Sequence, residues 1–218
     1  AGARRQHRLV ACTGRFLHQL TRTKTYIETV IPALGNGKDS EENLQFCFQT
    51  IVLMLHSFME EHFGMLIGLA TIYCPGDVRR YLASRHVDKA DQIEETPAVQ
   101  LARHARREVA FRQKARKLKG IFETAFSVGP FADAEAEANC LDLIQVRNII
   151  THQGGLIEGD DLPQLHSPDV VVKTTTIGSI TYPQLHIQPA FLLQVIASLV
   201  RSVASIDESL RQDPRYSI

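Results

Sequence analysis

Arg147, Asn148 and His152 interrupt an apolar helical run in the stretch VRNIITHQGG (146–155), immediately before a pair of glycines. A guanidinium carries forked N–H donors that match phosphate oxygens, and it keeps its charge at any accessible pH. An imidazole titrates near neutral pH and can give or take a proton, typically a ~10²–10⁴-fold contribution to rate. A side-chain amide beside them would orient the imidazole or a phosphate oxygen. Together these residue types point to phosphate handling.

The spacing sets a geometric condition. Asn148 and His152 are four apart and share a helix face, with Leu143, Val146 and Ile150 as the core side opposite. Arg147 and His152 are five apart, which separates them by roughly 140° on an ideal helix. Three arrangements would unite them. Arg147 curls around the helix, the helix frays near Gly154, or two such helices face each other across a two-fold axis. The plainer reading is that Arg147 and His152 stabilise a helix C-terminus, where cations meet the dipole favourably and HQGG is a stop signal.

Long helices must position this motif. Phe16, Leu20, Ile27, Val30 and Leu34 form one helical stripe, stopped by Gly35 to Gly37. Asp39, three residues before Glu42, predicts a cap for the next helix. On that second helix Leu44, Phe48, Ile51, Leu55, Phe58, His62, Met65 and Leu69 alternate spacings of four and three, and Pro75 with Gly76 ends it. An irregular or short-helical passage leads to Pro97. A third long helix is predicted from about Ala98 to Ser127, burying Phe111, Ala115, Leu118, Phe122 and Phe126. After VGPFAD, a fourth runs from about Ala132 into the motif. VVVKTTT and ITYPQLHI read as a β-branched hairpin with Gly178 at the turn. A closing amphipathic helix has Pro189 near its first turn. The pattern describes one α-helical bundle, residues 1–218 as a single domain, with a β-hairpin at about 169–188.

Composition narrows the class. Lys plus Arg and Asp plus Glu balance at 24 each, so any nucleic-acid hint must be local. No apolar run approaches the roughly 20 residues of a bilayer span, and the N-terminal residues lack the apolar core of a signal peptide. Cys12, Cys47, Cys74 and Cys140 lie far apart and read as reduced, packed thiols of a cytoplasmic protein. There is no H-E-x-x-H, P-loop, G-x-G-x-x-G after a strand, or G-x-S-x-G elbow, so neither a metal nor a cofactor is expected.

An Arg and a His at this separation occur by chance in about every second chain of this size, but requiring Asn after the Arg lowers that to about one in a hundred. In that context the chain resembles the HEPN superfamily, whose hallmark is an R-(x4–6)-H motif, often R-N-x3-H, late in a helical bundle. RNIITH (147–152) fits the stricter form, and HQGGLIEGDD with the hairpin and helix after it looks like the RiboL-PSP type. The likeness covers most of the chain in element order and rests on about ten positions at residue level.

The resemblance implies a HEPN-type bundle of long antiparallel helices and a metal-independent endoribonuclease without cofactor. It also implies a toxin or antiviral defence effector acting as a homodimer through the motif-bearing helix, with an antitoxin or defence-complex protein as a further partner. RNA supplies its own nucleophile, the 2′-hydroxyl. His152 would be the general acid/base, Arg147 the clamp on the phosphorane, and Asn148 the orienting amide. Many HEPN domains also place an acid on the second helix, here Glu60 or Glu61 in HSFMEEHFG, to hold the Arg or set a His tautomer. His62 beside them falls on the apolar stripe and reads as a satisfied core histidine. Gly64 and Gly68 share the face of Glu60 and would let another helix approach.

RHARREVAFRQKARKLK (103–119) holds eight Lys or Arg and one acid, Glu108. It reads as an RNA path through Arg103, Arg106, Arg107, Lys114 and Lys117, or else as a solvated helix face. In HEPN toxins paired with nucleotidyltransferase antitoxins a Tyr commonly follows the His by two residues. Gly154 stands there, so regulation through that Tyr is not expected. Other HEPN members are non-catalytic protein- or nucleotide-binding modules. In that alternative the flank of Leu141 and Ile144 docks a partner and Arg147 is a structural donor.

Overall fold

The computed structural model describes residues 2–34, 40–109, 115–157, 164–177 and 179–213. These residues are mainly helical, with a small two-stranded antiparallel sheet. The chain divides into two compact units. One comprises Ala1–Leu17, Met59–Ala132 and Arg201–Ile218, the other His18–Phe58 and Asp133–Val200. Three helices contribute to both: α1 (Gly2–Thr25), α3 (Ser40–Tyr73) and α9 (Pro189–Gln212).

The apolar periodicity acts as expected in the first helices, with local corrections. Phe16, Leu20 and Ile27 are buried, whereas Val30 remains 38% exposed. The turn Tyr26–Val30 widens to a π-turn, with the Ile31 N–H reaching the Tyr26 carbonyl, before α2 (Ile31–Leu34) continues. Pro32 is the physical reason, because a proline ring crowds the carbonyl four residues back. The stop at 35–37 and the Asp39 cap lie outside the described residues.

Along α3 the buried surface is wider than the single expected stripe. Val52 joins Phe48, Ile51 and Leu55 in the second unit, and Met59, Phe63, Leu66 and Ile67 join His62 in the first. Leu44, Phe58, Met65 and Leu69 are only half-buried. The helix ends at Tyr73, and Pro75 opens α4 (Pro75–Arg85), where its missing N–H costs nothing. A 3₁₀ turn, Val87–Lys89, and α5 (Ala90–Glu95) fill the short-helical passage.

The expected third helix is described as α6 (Ala98–Val109) and α7 (Ala115–Phe126), with residues 110–114, Phe111 among them, outside the described residues. Leu118, Phe122 and Phe126 are buried. Within this unit α4 packs against α5, α6 and α7. Phe122 meets Phe63 and Phe126 edge-on, with ring centroids 5.6 and 5.0 Å apart. Gly120 admits the Tyr81 ring, since an added Cβ would sit 3.2 Å from Tyr81 Cε2.

In the second unit α8 (Ala134–Gln153) begins two residues later than the sequence suggested. Asp133 is the N-cap and accepts a 2.7 Å hydrogen bond from the Ala136 N–H. The hairpin forms as β1 (Val170–Ile177) and β2 (Ile180–Ile187), in register from Val170 opposite Ile187 to Ile177 opposite Ile180, with Gly178 outside the described residues.

α9 corrects the membrane-span expectation. It is 24 residues long, with an apolar window long enough to cross a bilayer by length and composition. Interspersed Gln194, Ser198 and Ser202 conceal that run from simple inspection. Half of the window is buried inside the protein, and buried Ser198 accepts a 3.0 Å hydrogen bond from Asn139 of α8. That packing is the behaviour of a core helix.

Candidate functional site

The motif occupies the last turns of α8, which stays helical through Gln153, so fraying does not unite its residues. Leu143 and Val146 are fully buried and Ile150 nearly so, as the helical wheel requires. Arg147 and Asn148 are half-buried, and His152 is exposed. The Arg147 guanidinium turns onto its neighbour, with Nη1 donating to Asn148 Oδ1 at 3.0 Å. Asn148 therefore orients the arginine, and it shares a helix face with His152 four residues on. Among the described residues His152 has no hydrogen-bond or ion-pair partner, so its ring is open to solvent and to a ligand.

The end of the helix is built tightly. Gly154 adopts φ 62°, its N–H bonding the Ile150 carbonyl at 3.0 Å, the left-handed cap that an L side chain resists. Gly155, at φ 85°, lies under the Gln49 amide, where an added Cβ would come within 2.7 Å of Nε2. The chain then joins the hairpin. Ile157 N–H bonds the Pro183 carbonyl at 2.8 Å, Leu185 N–H bonds the Gly155 carbonyl at 2.9 Å, and Leu156 bridges Gln184.

Side chains of α3 hold the same open end of the hairpin. The Gln45 amide imitates a strand against Ile187, donating to its carbonyl at 3.1 Å and accepting from its N–H at 2.9 Å. Glu41 accepts from Lys173 Nζ at 2.7 Å, and that hydrogen bond and charge hold its carboxyl below the usual range. Motif helix and hairpin are thus one connected element within this unit.

The remaining expected site residues belong to the other unit. Glu61 is exposed and its carboxylate lies 3.7 Å from Arg15 Nη2, and Glu60 is half-buried. Arg103, Arg106 and Arg107 are exposed on α6, whereas Lys114 and the Lys117 side chain lie outside the described residues. Gly68 admits a side chain rather than a helix backbone. The Arg106 guanidinium lies over it, with Nε 2.8 Å from where a Cβ would stand.

His62 is a core residue, but a half-satisfied one. Its ring stacks on Phe16 with centroids 4.3 Å apart, Nδ1 meets Cys12 Sγ at 3.6 Å, and Nε2 has no partner among the described residues. Burial lowers this imidazole to about 4 and pushes the Cys12 thiol up to about 11. A neutral thiol beside a neutral imidazole is not an activated nucleophile.

No protein-family model, curated protein or solved structure matches the chain.

Sequence reading missed one polar constellation on the motif helix. Asp142 is completely buried, and its carboxylate collects the His166 N–H at 2.9 Å, the Ser167 N–H at 2.7 Å and His166 Nδ1 at 2.9 Å. The one local signal was an acid amid the apolar run CLDLIQ. Its partners stand 24 and 25 residues away, beyond any helical period. Ile144 is buried within the protein and Leu141 half-buried, so the flank expected to dock a partner is mostly closed.

Proposed function

We propose that this chain is a HEPN-type, metal-independent endoribonuclease acting as a homodimer, a toxin or defence effector working on cytoplasmic RNA. The observation that carries the reading is the Arg147–Asn148 hydrogen bond, which ties the guanidinium to the residue four positions before exposed His152 on an unbroken helix end.

That helix end combines a forked cation with a solvent-exposed imidazole. In the reaction the RNA 2′-oxygen attacks phosphorus while an imidazole takes the 2′-hydroxyl proton. The bond from phosphorus to the 5′-oxygen breaks, and an imidazolium protonates the leaving oxygen. Arg147 offsets the charge on the phosphorane. Two motif helices facing across a two-fold axis would supply one imidazole as base and the other as acid. The products are a 2′,3′-cyclic phosphate and a 5′-hydroxyl.

The test is incubation with a panel of labelled RNAs in excess EDTA, with product ends identified by mass spectrometry. Cyclic-phosphate ends are expected, with cleavage reduced by ~10²–10⁴-fold in His152→Ala and comparably in Arg147→Ala. Intact RNA from a folded dimer, or cleavage unaffected by His152→Ala, refutes the reading.

A further inference from the structure

A second basic cluster lies in the first unit and is contained in 82–107, a continuous stretch of chain. Here α4, the 3₁₀ turn, α5 and α6 enclose a cleft of about 310 Å³. Its floor is apolar, with Leu82 and Leu101 almost completely buried and Ile93 half-buried. Its rim carries His86, Lys89, His104 and Arg107, all exposed, and no described lining residue is acidic. One wall is held in place through Thr96. Its N–H bonds the Ile93 carbonyl at 3.2 Å and its hydroxyl bonds the Gln92 carbonyl at 2.6 Å. Its own carbonyl receives Arg79 Nη2 at 2.7 Å.

We infer that this cleft binds a small organic phosphate, a phosphate monoester on an apolar or aromatic body. A monoester brings three acceptor oxygens and close to two negative charges, which match the Arg107 fork, the Lys89 ammonium and the His104 imidazole edge. Four like-signed or proton-bearing groups around one opening, with no carboxylate among the described lining residues, favour an anion there. The floor of Leu82 and Leu101 has no donors for a phosphate and suits the organic part instead. At the small end of the ~300–1,000 Å³ typical of ligand sites, the cleft holds one compact molecule. Arg107 is shared with the expected RNA path, but Lys89 and His104 lie outside that path and outside the ribonuclease motif, so the inference stands whether or not that reading survives.

The experiment is calorimetric titration of the intact protein with AMP and phenyl phosphate, each compared with adenosine or phenol. Both esters are expected to bind at least about tenfold more tightly than their dephosphorylated partners. The double variant Lys89→Gln/His104→Gln should lose about tenfold in affinity at unchanged melting temperature. Lys173→Gln, a lysine of the other unit, should bind as the parent does. A short RNA with a 5′-phosphate and the same RNA with a 5′-hydroxyl separate two sources of the group. Preference for the phosphorylated end, lost in the double variant, assigns an RNA terminus. Equal binding of the two RNAs, with AMP still bound, assigns a free metabolite. No binding of either ester at about 1 mM, or undiminished binding by the double variant, overturns the inference.

Discussion

Replacing His62 with Phe should flatten the acid side of the stability curve. The imidazole is 1% exposed, stacked on Phe16 at 4.3 Å, and lowered by burial from its ordinary 6.5 to about 4. Above pH 6.5 both folded and unfolded chains carry it neutral, and its contribution to stability is complete. Between 6.5 and about 4 the unfolded chain takes up a proton that the folded chain refuses, so stability is lost as the pH falls. At roughly 1.4 kcal/mol per pH unit, that window amounts to about 3 kcal/mol. Phe keeps the stack and removes the orphaned Nε2, with an overpacking cost of about 1–3 kcal/mol that does not depend on pH. Urea melts followed by far-UV circular dichroism at pH 7.5, 6.5, 5.5 and 4.5 would measure both proteins. Every other titrating group contributes alike to the two curves, so their difference isolates His62. The gap should move by about 3 kcal/mol in the variant's favour from the top to the bottom of that window. His62→Leu provides the same readout should the phenyl ring prevent folding. Parallel curves for parent and variants would refute the reasoning.

Asp142→Ala should cost about 3 kcal/mol in thermal or urea melts, because it strands the buried Ser167 N–H and removes a charge-assisted set of hydrogen bonds. His166→Ala should cost less than about 1 kcal/mol, since that imidazole is largely solvated; equal losses would contradict the assignment. Gly154→Ala should cost about 1 kcal/mol for its left-handed φ alone, as nothing lies within 4 Å of the added Cβ. Gly155→Ala should cost more, about 2 kcal/mol, and recover part of it in a Gln49→Ala background, where the amide above it is gone. Cys140, pushed up to about 12 by burial, and Cys12, raised to about 11, should resist iodoacetamide at pH 8 while half-buried Cys47 and Cys74 react. Peptide mass mapping reads the order, and early labelling of Cys140 would count against its burial.

Much of the motif's local geometry was legible because it depends on neighbours one turn away. The core side Leu143–Val146–Ile150, the stop at Gly154 and the polar face of Asn148 and His152 all follow from a 3.6-residue period and from glycine's tolerance of positive φ. The path of Arg147 was left open among three arrangements, because a long side chain chooses its partner by rotamer and not by spacing. The structure places it on Asn148. The breadth of α3 was also underestimated. A period finds the best stripe, but Val52, Met59 and Phe63 are buried by what packs on other sides of the helix, which their own spacing does not record.

By itself, then, the sequence determined the helices, the Pro75 break, the hairpin and the cluster of chemical groups near the end of α8. Each arises from interactions spanning a few residues. Only the tertiary structure decided that Asp142 gathers His166 and Ser167, and that Gln45 clamps Ile187 across 142 residues. It alone brought His86, Lys89, His104 and Arg107 around one apolar floor. Such partnerships depend on which surfaces the chain brings together when it buries its apolar faces, and no local period encodes that choice.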